Sequence, residues 1–415
     1  MYGGFLSASG NCQCKKEQRL AGDIFEYTGI TSAVENDQCH GWLVMLDTQY
    51  RMHPDIADFV SKYMYGDRLK TYEKIIESRN EIASCKPCPD SAMALIDLSG
   101  MYSVCTKTKD GSRVNILSAL LSLRMAEKSL TQFEVGIITP YSAQSRLILS
   151  MVRDIQEYDN RWKKVACATV HQFQGSEKPV IIYDAVDCYR MPYPGTLLTS
   201  LHNDEGESKE KYTKSKEKDE YGKTKRYEVK KANKEYLKIK HISKKLIFTK
   251  AIEKLSREKH VIEGGAVLDE FMPSNNEQPI VYVEDRETSW QIYIEDLQLA
   301  RNSIYIDIPD VIDENDEAIK ELSHVLFEKK EQGVDVRIRL SEDIDLPNEL
   351  IKYRKNYEYV TNPITIIDKK MIWFGQPLYA ADFISEGNIM DTEYFPCVRF
   401  VGKYTARSIQ AFLEM

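Results

Sequence analysis

An α/β protein built from two globular units is predicted by three features of this sequence. Short apolar strands alternate with amphipathic helical patterns from residue 41 to about residue 190. A second alternation of the same kind begins near Ser289. The length, 415 residues, exceeds what one ordinary core of roughly 100–200 residues holds. Alternating strands and helices are the signature of a parallel sheet.

Taken in order, Leu43–Leu46, Val135–Thr139, Val165–Val170 and Val180–Ala185 read as strands. Pro54 suits a first helical turn, where its missing N–H loses no bond. The helix it opens carries Ile56, Phe59, Val60, Tyr63 and Met64 at helical spacing and stops at Gly66. Residues 115–128 and 143–155 read as further amphipathic helices. From Asn203 to Lys245 the chain is rich in lysine and glutamate and almost free of aliphatic residues. Such a segment buries too little to order itself as a core and reads as a solvated insertion. Gly264-Gly265 and the stretch from Pro273 to Asn276 punctuate a boundary. Beyond it, Ser303–Ile308 and Val334–Leu340 read as strands flanking a helix. Ile364–Ile367 and Met371–Phe374 form a hairpin around Asp368-Lys369-Lys370, and a closing helix starts near Ala406.

Composition narrows the function classes. The 42% hydrophobic and 29% charged residues, with no apolar run long enough to cross a membrane and no signal-peptide pattern at the start, predict a soluble, cytoplasmic protein without a membrane partner. Nine cysteines fit reduced thiols. The close pairs Cys12-x-Cys14 and Cys85-x-x-Cys88, with Cys39, His40 and Cys105 nearby, make no zinc pattern, so no metal site is expected. The net charge of −8 is the wrong sign for whole-surface nucleic-acid binding. A local basic groove decides that matter instead.

Three segments carry the chemistry. Gln49-Tyr50-Arg51-Met52-His53-Pro54 follows an apolar strand, where α/β sheets place ligand-binding groups. A planar ring beside a guanidinium suits an adenine stack and a bidentate phosphate contact. Thr139-Pro140-Tyr141-Ser142-Ala143-Gln144, again at a strand end, offers hydroxyls and an amide to a phosphate backbone. The segment from Thr169 to Lys178 runs from a strand into a turn with Gly175 and an acid, Glu177, suited to a ribose hydroxyl.

In this order and at these strand ends, QYRMHP, TPYxxQ and FQGxE resemble the second motor lobe of superfamily 1B helicases of the kind that acts in nonsense-mediated decay, over residues 1 to about 200. Residues 23–26 are similar to the family's link between lobes. The resemblance implies a RecA-like parallel-sheet lobe, a P-loop NTPase fold without its P-loop. It implies that Tyr50 stacks on adenine, that Arg51 reaches the γ-phosphate, and that Gly175 and Glu177 serve the nucleotide, Glu177 on its ribose. Thr139, Tyr141, Gln144 and Thr169 would line a channel for single-stranded DNA or RNA. His171 stands where the family has aspartate, and Gln172 is also unusual.

Hydrolysis in such a motor needs G-x-x-x-x-G-K-[ST] and a magnesium-holding aspartate, both belonging to the other lobe. Neither occurs here. Gly222-Lys223-Thr224 has Glu217 in the place of the first glycine and no apolar strand before it. ATP and Mg2+ are therefore expected only with a first lobe, whether joined to these residues or supplied as a partner on a separate chain, and these residues alone are expected to be inactive. The family's late arginine finger falls on Lys250 in one register and on His241 in another, and lysine lacks the guanidinium fork.

Residues 280–415 resemble the phospholipase D-like domain appended to some bacterial helicases, carried by Ser303–Pro309 and Ile364–Gly375. That family's H-x-K-x-x-x-x-D, counted back from Asp368, meets Thr361 and Pro363, so no nucleophile is present and Asp368 reads as a turn residue. The expected organisation is an inter-lobe remnant (1–40), a RecA-like lobe (41–202), a charged insertion (203–245), the end of the lobe (246–270) and a smaller phospholipase D-like α/β domain (280–415). The expected function is the C-terminal portion of an ATP-dependent helicase. The alternatives are a non-enzymatic nucleic-acid-binding or regulatory protein and, on domain resemblance alone, a nuclease.

Overall fold

The computed structural model describes residues 24, 28–35, 41, 46–98, 101, 103–108, 110–187, 261–263, 266–267, 280–282, 286–308, 317–340, 351–354, 363–375 and 397–413. Cys12, Cys14, Cys39, His40, the charged segment 203–245 with Gly222-Lys223-Thr224 and His241, and also Lys250, Gly264-Gly265, Pro273–Asn276 and Thr361 lie outside them. The chain is mixed α/β with parallel sheets, in two compact units, Met1–Arg79 and Asn80–Met415. Among the described residues no helix is long and apolar enough to cross a membrane.

The first unit holds α1 (Ile30–Glu35), β1 (Thr48–Gln49), α2 (Pro54–Met64) and β2 (Lys70–Thr71), with β1 and β2 parallel. Of the strand expected at Leu43–Leu46 only Leu46 lies among the described residues; it is 84% exposed and precedes β1, whose buried residue is Gln49. Pro54 occupies the first turn of α2, whose N-cap His53 accepts a bond from the Asp55 N–H. Gly66 follows the helix with φ +57. α3 (Ile76–Ala83) leads to the second unit.

There β3 (Leu95–Asp97), β4 (Thr106–Lys107) and β5 (Arg113–Val114) precede α4 (Ile116–Ser129), β6 (Val135–Thr139) and α5 (Ser142–Gln156). β7 (Val165–Thr169), α6 (Val170–Phe173), β8 (Val180–Tyr183) and β9 (Val261–Glu263) follow, with β9 parallel to β3. A parallel sheet runs in the order β7-β6-β8. β8 ends two residues earlier than Ala185, and Val170 opens a short helix rather than closing β7, because Thr169 caps that helix.

The C-terminal half contributes β10 (Ile280–Tyr282), α7 (Arg286–Gln298), β11 (Ser303–Ile308), α8 (Glu317–Glu331), β12 (Asp335–Leu340), β13 (Ile351–Arg354), β14 (Ile364–Ile367), β15 (Met371–Phe374), β16 (Val398–Val401) and α9 (Lys403–Leu413). The strands from β10 on make one sheet, ordered β10-β16-β15-β14-β11-β12-β13. Side chains alternate across it, as strand geometry requires. Ile304, Ile306 and Trp373 face α7 and α8, packing on Leu297, Leu322 and Leu326. Ile364, Ile366, Ile372, Phe374, Val398 and Phe400 belong instead to the cluster formed by Leu147, Ile148 and Met151 of α5.

The two α/β patterns that look separate in the sequence thus share a core. A buried carboxylate fastens the junction. Asp154, 2% exposed near the end of α5, accepts bonds from the Tyr404 N–H at 3.1 Å, and from the Thr405 N–H and hydroxyl at 2.7 Å each. It thereby satisfies donors that the first turn of α9 leaves open. Gly402 lets the chain pass, since a Cβ there would strike Asp154 and Phe400.

Candidate nucleotide and nucleic-acid contact site

The first motif is organised by its glutamine. Gln49, 9% exposed, accepts from the Arg51 N–H at 2.8 Å and the Met52 N–H at 2.7 Å. Its amide donates to the Met52 carbonyl at 2.9 Å and the Thr71 hydroxyl at 2.8 Å. All four bonds hold the turn between β1 and α2. That turn presents Tyr50, 60% exposed with one side against Tyr72 at 4.7 Å between ring centres, and the exposed Arg51. Four residues of the hexapeptide therefore serve the shape, and Tyr50 and Arg51 stand exposed beside them.

The second and third motifs meet because β6 and β7 run parallel in register, with Thr139 beside Thr169. Thr169 and Gln172 form a capping box: the Gln172 side chain accepts from the Thr169 N–H at 3.2 Å. The unusual glutamine thus has a local role, which sequence reasoning had not given it. Past α6, Gly175 takes φ +84 with open space where a Cβ would stand, and Glu177 is exposed. His171 is exposed as well.

Behind this edge lies a polar network. Gln144, with no exposed surface, accepts from the Asn115 N–H at 2.9 Å. It donates to the Asn115 carbonyl at 2.8 Å, the Ser118 hydroxyl at 3.2 Å and Asp184 at 2.7 Å. Asn115, the N-cap of α4, also donates to Ser103 at 2.9 Å and to the Val186 carbonyl at 3.1 Å. Burial pushes the Asp184 carboxyl up, outweighing the bonds it accepts from Gln144, Ser118 and the Val186 N–H. Alongside, Asp187 pairs with Arg113 at 2.5 Å and accepts from the Tyr141 hydroxyl at 3.1 Å. Burial, then the Asp187 charge, raises the Tyr141 phenol. The Ser112 hydroxyl accepts from the Ala143 N–H at 3.1 Å and helps cap α5.

Thr139, Tyr141 and Thr169 are thus brought to one end of the sheet, with Thr139 at 0% and Tyr141 at 6% exposure, and Gln144 lies buried behind them. Tyr50 and Arg51 share one loop in the first unit. Gln49, Arg113, Asn115, Asp184 and Asp187 are absent from the sequence-based list. Only Asn115, an Asn directly before an apolar helix, gave a signal of its kind.

The family model described as an AAA domain matches residues 31–199. Helicase sen1 of Schizosaccharomyces pombe is 27% identical over 170 residues, 39% of this chain and 10% of that protein. Helicases are what this stretch resembles. A regulator of nonsense transcripts 1 homolog from Arabidopsis thaliana is 29% identical over 185 residues, 42% of this chain and 14% of that protein. The chain therefore covers a small part of these helicase-related proteins. A solved structure of NucT from Helicobacter pylori covers 32% of this chain and 94% of its own at 14% identity, with a TM-score of 0.22, too low for a shared fold to be read from it.

Among the described residues no group of three His, Cys, Asp or Glu side chains is placed to hold a metal ion.

Proposed function

We propose that this chain is the C-terminal portion of an ATP-dependent DNA or RNA helicase, with a RecA-like second motor lobe at 41–202, completed at 246–270, and a phospholipase D-like domain at 280–415 that has lost its nucleophile. The pairing of Thr139 with Thr169 carries this reading. It sets two motif blocks side by side at the C-terminal ends of parallel strands, where α/β sheets receive ligands. The similarity of residues 31–199 to helicases supports it.

In this reading Tyr50 stacks on adenine, Arg51 meets the γ-phosphate, and Gly175 and Glu177 take the ribose side. An exposed ring beside a guanidinium suits a base and a phosphate, and an exposed carboxylate suits a ribose hydroxyl. ATP supplies the phosphoanhydride bond whose cleavage drives the motor; the loop and aspartate that hold its phosphates and Mg2+ belong to the first lobe of such a motor. Thr169 and the turn after it face the strand. Thr139, Tyr141 and Gln144 act through position, since their buried groups fix the start of α5. Lys250 stands in the finger's place with a point charge instead of a fork.

Mixing the chain with a first-lobe partner and following ATP turnover tests the reading. Nucleic-acid stimulation, abolished by Arg51→Ala, is expected; no stimulation at saturating partner contradicts it. A second reading, a non-enzymatic strand-binding regulator, is favoured by the lack of any G-x-x-x-x-G-K-[ST] in the sequence. It predicts salt-sensitive binding with no ATP requirement and no turnover under any pairing.

A further inference from the structure

The junction of α5 and α9 is apolar beneath, but its solvent side is cationic and aromatic. Arg153 lies 4.9 Å from the centre of the Tyr404 ring, and Lys403 lies 4.9 Å from the same ring. Arg146 lies 5.9 Å from Phe412, and Arg407 is exposed one turn beyond Lys403. Asp110 stands 3.6 Å from Arg146, and Glu157 stands 2.7 Å from Lys403. Among the described residues neither Arg153 nor Arg407 pairs with a carboxylate. Arg146 and Arg153, seven residues apart on α5, sit about 10 Å apart along its axis at a rise of about 1.5 Å per residue. The Asp154 clamp and the Ser150–Ser408 contact at 2.5 Å hold α9 in place.

We propose that this seam is a track for single-stranded nucleic acid that leaves the β6–β7 edge. The proposal rests on the functional reading above and extends it across the domain junction. α5 begins at Ser142, directly after the strand-end motif, so Arg146 stands one turn from that edge. Cations spaced along a rigid helix meet phosphates, and half-exposed rings between them receive bases, the combination that binds single strands without reading sequence. The charge excess is local, and the net charge of −8 does not oppose it.

The test is fluorescence anisotropy of the full chain with labelled oligothymidylates of about 8 and about 20 nucleotides, comparing the natural protein with Arg153→Gln/Arg407→Gln. The natural chain is expected to bind the longer strand more tightly. The double variant should lose about tenfold on that strand and flatten the salt slope by about 1.4, at about 0.7 per phosphate contact, with the shorter strand unaffected. Arg407→Gln alone, which leaves the Tyr404 stack in place, should give about half that change in slope. Long-strand affinity and slope unchanged in both variants, with short-strand binding retained, overturn the track and leave the functional reading standing. Failure of the natural chain to bind either strand defeats the functional reading and the track with it.

Discussion

The three-stranded and seven-stranded sheets both place polar residues near strand ends, and they use them in opposite ways. At the β6–β7 edge the buried groups Gln144, Asn115 and Asp184, with the half-buried Asp187, brace a surface on which the turn after Thr169, with Gly175 and Glu177, is exposed. In the seven-stranded sheet the acids turn inward to partners of their own. Asp296 accepts from Trp373 at 2.8 Å and from Arg399 at 2.7 and 3.0 Å. Asp307 pairs with Arg339. Asp368 accepts the N–H groups of Arg301, Asn302 and Ser303 at 2.9, 2.7 and 2.9 Å. A scaffold that holds a site leaves groups over for a ligand, whereas one whose acids serve its own backbone and core contributes shape. The second sheet reads as support and surface.

If the second sheet is support, its removal should damage the first. Ending the chain at residue 279 exposes the α5 residues Leu147, Ile148 and Met151, each worth about 1.5–3 kcal/mol when fully buried. A loss of more than about 5 kcal/mol is expected in urea unfolding; an undiminished midpoint would mean that the two halves fold independently. Asp154→Ala strips the acceptor from three donors of α9 and should cost about 3 kcal/mol by the same measurement. A cost below about 0.5 kcal/mol would show that the clamp is idle.

Gln144→Leu sharpens the contrast from the other side. It leaves the Asn115 backbone and the Asp184 carboxyl without their amide, so about 2 kcal/mol of stability should go together with strand binding. Stability lost with strand affinity intact would separate the brace from the site. The smallest effect is at Asp368. Burial works against its charge, but the three N–H donors outweigh burial and hold the carboxyl below its ordinary range. Stability from this turn is therefore full above the ordinary carboxylate pKa of about 4 and fades as pH falls below it. Asp368→Asn should flatten that acid limb of the urea midpoint; a limb of unchanged slope would assign it to other carboxylates.

The sequence disclosed what depends on neighbours along the chain. Pro54 at the head of α2, the β6 strand and the Asp368 turn all follow from local rules. The two central residues of that turn, Asp368 and Lys369, take φ of 50° and 54°, as a tight hairpin demands. What escaped notice depends on distance. Asn115 reaches Val186 across 71 positions, and Arg113 reaches Asp187 across 74. Asp187 does not stand out in a linear reading, because such a carboxylate is identified by its partners. The shared core escaped for the same reason: Ile364, Ile366 and Phe374 show an alternating strand, and nothing in that pattern says which helix covers each face.

The central claim is that the ends of β6 and β7 face a nucleic-acid strand. Ultraviolet crosslinking of a 4-thiothymidine oligonucleotide to the full chain, followed by peptide mapping, tests it most directly. Crosslinks in the peptides spanning 139–146 and 169–177 are the expected result. Crosslinks confined to other segments, with both of these peptides unlabelled, would contradict it.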